Sequence, residues 1–109
     1  MIEVREYIDI DGHNAFANWF RQLNAAAATR VKRALARMEQ GNLSNAKGVG
    51  SAVFEYRIDF GSGYRIYFGK DGKALIILLA GGTKRRQQRD IESAHGLWQE
   101  YRRRKRRER

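Results

Sequence analysis

Cysteine is absent from the 109-residue chain, which excludes a disulfide framework, a thiolate nucleophile and any zinc site built on thiolates. Proline is absent too, so the breaks between elements fall to glycine and polar turn residues. Histidine occurs only as His13 and His95, far apart in sequence. The longest apolar run, Ala74–Ala80, is too short to cross a bilayer, and "MIEVREYIDID" at the start carries acidic residues and no apolar core of signal-peptide length. A cytoplasmic protein with no membrane partner is expected. The length suits a single domain over residues 1–103, followed by a basic tail over 104–109.

Charge of one sign is in excess. The formal net charge is +10, and residues 84–109 hold 11 Lys/Arg against 4 Asp/Glu, whereas residues 1–83 hold 11 against 8. A basic end of this kind suits nucleic acid, an anionic surface or an acidic protein without choosing among them. The terminal "YRRRKRRER" reads equally as a solvated helix end or as a phosphate-binding segment.

Periodicity divides the chain into seven elements. Ile2 and Val4 alternate with charged neighbours in a short first strand. Phe16, Trp19, Phe20 and Leu23 then recur at helical spacing, with Asp9 or Asp11 as the expected cap, and Ala27, Val31, Ala34, Leu35 and Met38 mark a second helix ending at Gly41. Asn24 and the alanines after it either continue the first helix or break it. The outer face of the second helix carries Arg30, Lys32, Arg33 and Arg37. Residues 41–50 have turn composition and no period, and read as a loop. Three strands follow: one over residues 53–60, one from Tyr64, and, after a hairpin turn at Asp71-Gly72, the unbroken apolar run beginning at Ala74. Ile91, Ala94, His95, Trp98 and Tyr101 mark the inner face of a helix over residues 84–103. The expected class is α+β, ordered β-α-α-β-β-β-α, with an antiparallel sheet packed against an N-terminal helical hairpin and a C-terminal helix.

The chemistry concentrates in "FEYRIDFGSGYRIYFG". With Gly61-Ser62-Gly63 as a three-residue turn, Phe60 pairs with Tyr64, Asp59 lies opposite Arg65, and Arg57 lies opposite Tyr67. One face then displays two guanidinium groups that stay charged near neutrality and fit phosphate oxygens. The same residues also suit ordinary cross-strand pairing, Arg65 with Asp59 and Arg57 with Glu55 or Asp59. Lys84, Arg85, Arg86 and Arg89 begin where the last strand ends. Cations at a helix N-terminus oppose the macrodipole, a cost that suggests a use.

The stretches "YRIDFGSGYRIYF", "ILLAGGTK" and "QQRDIESA", in this order and spacing, resemble the RelE/ParE superfamily of type II toxins, most closely its HigB-like branch of addiction-module killer and phage Gp49-like proteins. The resemblance runs from the first strand to Trp98. It implies a small RelE-like fold and a helix-turn-helix antitoxin of the HigA type as partner. It also implies ribosome-dependent cleavage of messenger RNA without a metal or other cofactor, the 2′-hydroxyl attacking to leave a cyclic phosphate. By the same resemblance Arg65 stabilises the scissile phosphate, Arg57 and Lys84 complete the site, and Tyr67 is a fourth catalytic candidate. The basic face with Arg30, Arg33 and Arg37, and the run with Arg85, Arg86 and Arg89, would dock on RNA of the ribosome. His13, His95 and Tyr101 read as structural, Asp59 as a partner of Arg65, and the acid and base are unassigned. Two alternatives stay open: a ParE-like inhibitor of DNA gyrase, and an inactive relative that binds nucleic acid through total charge.

Overall fold

The structure, a computed structural model, describes residues 1–108. Its elements are β1 (Glu3–Glu6), α1 (Ala15–Arg21), α2 (Ala25–Glu39), β2 (Ala46–Gly48), β3 (Val53–Ile58), β4 (Tyr64–Lys70), β5 (Leu75–Thr83), a 3-10 turn (Lys84–Arg86) and α3 (Gln87–Arg107). The class is α+β. The five strands form one mixed sheet in the order β1-β5-β4-β3-β2. Strands β2 to β5 are antiparallel, whereas β1 joins the edge parallel to β5, Val4 beside Ile76. The antiparallel sheet expected holds for β2 to β5, and β1 joins its edge in the same direction as β3 and β5 and opposite to β2 and β4.

Asparagine starts both N-terminal helices. The Asn14 side chain accepts from the Ala17 N–H and the Asn24 side chain from the Ala27 N–H, each at 2.9 Å. Asn24 therefore breaks the helical run, because its oxygen competes with the preceding turn for a free donor. Neither aspartate expected as a cap serves; Asp9 instead accepts the N–H groups of Asp11 and His13 and shapes the loop before α1. Helix α2 stops at Gly41, whose φ of 83° lets its N–H reach Met38 O while Asn42 N–H reaches Arg37 O, the two bonds of a Schellman ending.

Helices α1 and α2 cover one sheet face, packing Phe16, Val31, Ala34 and Met38 on Tyr56, Ile58, Ile66, Phe68, Ile76 and Leu78. Helix α3 covers the other, setting Ala94 and Trp98 against Val53, Tyr67, Ile77, Leu79 and Ala80. Strand β5 is thus buried on both faces, as its unbroken apolar run requires. Each helical layer seats a tryptophan on a glycine of the sheet: a Cβ on Gly81 would overlap the indole of Trp19, and one on Gly69 the indole of Trp98.

Two local expectations change. The 41–50 loop contains β2, an edge strand of three residues whose shortness hides any period. The β3–β4 connection has five residues, 59–63, so that Ile58 faces Tyr64. Gly61 (φ 58°) and Gly63 (φ 88°) both take left-handed conformations, and the Gly63 N–H closes onto Phe60 O at 2.9 Å. At the far end, α3 runs on through the expected tail to Arg107. Arg104 donates to Tyr7 Oη and Ile8 O, and Lys105 pairs with Asp71, so these two cations are anchored. Arg109, the last residue of that tail, lies outside the described residues.

Candidate functional site

The register of β3 on β4 differs from expectation by two residues. Side chains alternate with period two, so every residue keeps its face while every partner changes. Arg57 lies directly opposite Arg65, and Glu55 opposite Tyr67. Asp59 leaves the strand for the turn. The expected Asp59–Arg65 and Arg57–Tyr67 pairs do not form.

Beside this hairpin, a cavity of about 430 Å³ is lined by Asn45, Lys47, Arg57, Asp59, Tyr64 and Arg65, among others. A recess of about 180 Å³ shares Asn45, Arg57 and Asp59 with it and continues to Arg30, Arg33 and Arg37 on α2. Together they form a continuous concave surface with six basic side chains against the single carboxylate of Asp59. Among the described residues, no ion pair engages Lys47, Arg33, Arg37 or Arg57. Arg30 lies over the Phe60 ring, 4.6 Å from its centroid, which ties the recess to the hairpin turn.

Arg65 differs from the other cations. It is only 5% exposed, and its Nε faces Glu55 Oε1 at 3.6 Å. Glu55 is itself fully buried, with Tyr67 Oη and Gln87 Nε2 donating to its other oxygen at 3.1 and 2.8 Å. The Arg65 side chain is therefore ion-paired from beneath while lining the cavity above.

The remaining candidates separate. Tyr67 is not displayed: it is buried under α3 with its hydroxyl committed to Glu55, and burial, then the Glu55 charge, raise its pKa far above the ordinary phenol value. Lys84 is exposed one residue beyond Thr83, the strand partner of the cavity-lining Tyr64, but does not itself line the cavity. Arg85, Arg86 and Arg89 are exposed around the start of α3. Among them sits Asp90, whose carboxyl is raised by burial against Gly82 and lowered in part by Arg86 and Arg89. That carboxylate in the first turn offsets the cations that oppose the helix dipole. His95 donates to Val49 O at 3.0 Å and pins α3 to the β2–β3 turn, and Tyr101 stacks on Trp98; both structural expectations hold. His13 is exposed near Asp9.

Lys47, Asn45 and Gln87 escaped the sequence reading, and Glu55 was assigned only as a partner for Arg57. Lys47 and Asn45 lay in a segment without period. Glu55 and Gln87 become neighbours only once α3 is laid on the sheet. A buried role for Glu55 has a signal in hindsight: it is the one acid within β3, flanked by residues that face the core.

No family model matches the chain. A Haemophilus influenzae protein described as uncharacterized is 40% identical over 86 residues, spanning 78% of this chain and 87% of that relative. The two proteins belong to one family. The shared stretch is long enough that the family holds most of the domain in common.

Proposed function

We propose that the protein is the toxin of a type II toxin–antitoxin pair, a messenger RNA endoribonuclease that acts on the ribosome. The observation that carries this reading is the placement of Arg57 opposite Arg65 beside a cavity that runs on to Arg30, Arg33 and Arg37. Such a surface suits a phosphodiester backbone: the α2 arginines and Lys47 hold flanking phosphates, and Arg57 and Arg65 grip the one that reacts. In the reaction the substrate's 2′-hydroxyl loses its proton and attacks the adjacent phosphorus, the 5′-oxygen leaves and takes a proton, and a cyclic phosphate remains. Charge grows on the phosphoryl oxygens in that transition state, where fixed guanidinium donors act most strongly. The resemblance of the hairpin and the "ILLAGGTK" and "QQRDIESA" stretches to HigB-like toxins supports the same reading. It brings the ribosome, messenger RNA and a helix-turn-helix antitoxin as partners.

One observation favours a second reading, a ParE-like gyrase inhibitor. Arg65 is nearly enclosed and ion-paired with Glu55, as a purely structural arginine would be. The deciding experiment is in vitro translation with purified protein, mapping messenger RNA 5′ ends by primer extension for wild type, Arg65→Lys and Arg65→Ala, with a ribosome-free control. New ends that require both ribosomes and Arg65 are expected. Intact message with untouched translation would overturn the nuclease reading, and inhibition of gyrase supercoiling would then establish the second.

A further inference from the structure

The buried carboxylate beneath the cavity has no direct place in the proposed reaction, since it is closed to solvent and meets the cavity lining only through Arg65. We infer that Glu55 is a positioning residue: it holds the Arg65 guanidinium by its Nε edge, so that the two Nη groups face the cavity as a preset phosphate fork. The inference rests on the phosphate-binding reading of the cavity and adds to it the residue that sets its geometry.

Three features support it. First, the two ends of the arginine head are distinguishable: Nε faces Glu55 Oε1, whereas Nη1 lies by Gly63, a Cβ on which would stand 3.7 Å away. Gly63 also lines the cavity, so the fork end is the open end. Second, the carboxylate has little freedom to rotate. Tyr67 Oη comes to its Oε2 from the neighbouring strand and Gln87 Nε2 from the first residue of α3, which leaves Oε1 directed at Arg65. Third, the pair is incompletely satisfied. Nε and Oε1 stand beyond the usual hydrogen-bond range, and both are buried without another partner. The guanidinium is thus ion-paired at Nε without a closed hydrogen bond there, which leaves it donors to offer a second anion.

Mobility of the guanidinium separates positioning from simple support. In a ¹⁵N-labelled sample, the Arg65 Nε–H resonance, identified by its loss in Arg65→Lys, is expected to exchange slowly with water and to shift on titration with inorganic phosphate. In Glu55→Gln, with backbone amides away from β3, β4 and α3 unchanged, that exchange should accelerate at least about tenfold and the phosphate response should collapse, since a displaced donor no longer meets its ligand. In the cleavage assay the same variant should lose on the order of a hundredfold in kcat with little change in KM, the cost of a misplaced catalytic group. If Glu55→Gln does not fold, Tyr67→Phe, which keeps the ring and removes one hydrogen bond to Oε2, should accelerate Arg65 exchange by a smaller factor. Wild-type exchange and phosphate response in a folded Glu55→Gln, or in Tyr67→Phe where the first does not fold, would overturn the inference while leaving the nuclease reading intact. A wild-type protein that cleaves nothing, yet loses Arg65 protection and phosphate response in Glu55→Gln, would sink the nuclease reading and leave the positioning role standing.

Discussion

The two faces of the sheet are both covered by helices, yet they are built from different materials. Under α1 and α2 the strands contribute Tyr56, Ile58, Ile66 and Phe68, a dry interface closed by dispersion and burial. Under α3 the same two strands contribute Glu55, Arg65 and Tyr67 beside Val53, so a buried ionic network lies within an otherwise apolar layer. The first face needs only volume and shape. The second must also satisfy charges in a poorly solvating interior, which costs stability unless the geometry serves something else.

Truncation on either face gives the largest effects, of different kinds. Phe68→Ala on the dry face should cost about 3–5 kcal/mol, seen as a large fall in melting temperature, because an enclosed ring leaves a cavity that its neighbours fill only in part. Arg65→Ala should cut cleavage by roughly 10²–10³, the usual price of one transition-state donor. It should also destabilise the fold, because it strands the buried Glu55 charge. Arg65→Lys keeps the charge without the fork and should separate the two effects: mostly restored stability, still low cleavage. If Phe68→Ala and Arg65→Ala instead differed only in melting temperature, with cleavage equal once folded, the two faces would be alike and the network merely structural.

The paired tryptophan seats offer a finer contrast. Gly69→Ala and Gly81→Ala each force a methyl into an indole, an overpacking worth about 1–3 kcal/mol. Trp98 is enclosed, whereas Trp19 is only half-buried and can swing toward solvent. Gly69→Ala should therefore lower the melting temperature more than Gly81→Ala; the reverse order would place the tighter packing under α1.

This contrast also explains what was legible in the sequence. Face assignment was read correctly from Phe54 to Phe68, because alternation is local and survives a two-residue slip in register. Partner assignment was not, because the five-residue turn depends on how Gly61 and Gly63 are both used, and a Gly-Ser-Gly string admits more than one solution. The slip set Tyr67 beside Arg57, and the open surface expected for that face was a separate error, since α3 lies over Tyr67. Helix α3 was itself legible from Ile91 to Tyr101, but nothing within residues 53–68 announces which polar side chains a helix twenty residues later will bury. Lys47 was hidden for the opposite reason, a strand too short to carry a pattern.

A smaller effect tests whether the basic surface is local to the cavity. Replacing Arg30, Arg33 and Arg37 with Ala should lower the slope of log affinity against log salt for single-stranded RNA by about 2, as three phosphate contacts are lost. Replacing the exposed Arg102, Arg103 and Arg106 of α3 should change that slope less. Equal losses would mean that binding follows total charge, the behaviour of a non-catalytic relative.

The smallest effect concerns the far end of α3, where Tyr101 donates to Asp71 beside Lys105. Burial, and then the bond to Asp71, push the Tyr101 phenol up to about 12 from an ordinary value of 10. Between those values the unfolded chain has lost the proton and the folded one keeps it, so the unfolded state binds fewer protons and stability falls as pH rises. The contribution is whole below pH 10 and gone above pH 12. Tyr67 and Tyr7, also raised by burial, steepen the same alkaline limb. Tyr101→Phe should therefore leave a shallower loss of urea stability between pH 10 and 12 than wild type, and an unchanged slope would mean that the phenol is equally free in both states. Because Tyr101 stacks on Trp98 and Trp98 sits on Gly69, this far-end contact also bears on the seat of α3. If helix seating sets the Glu55–Arg65 geometry through Gln87, Tyr101→Phe should slightly speed Arg65 Nε–H exchange at neutral pH, linking the far end of α3 to the end proposed to hold phosphate.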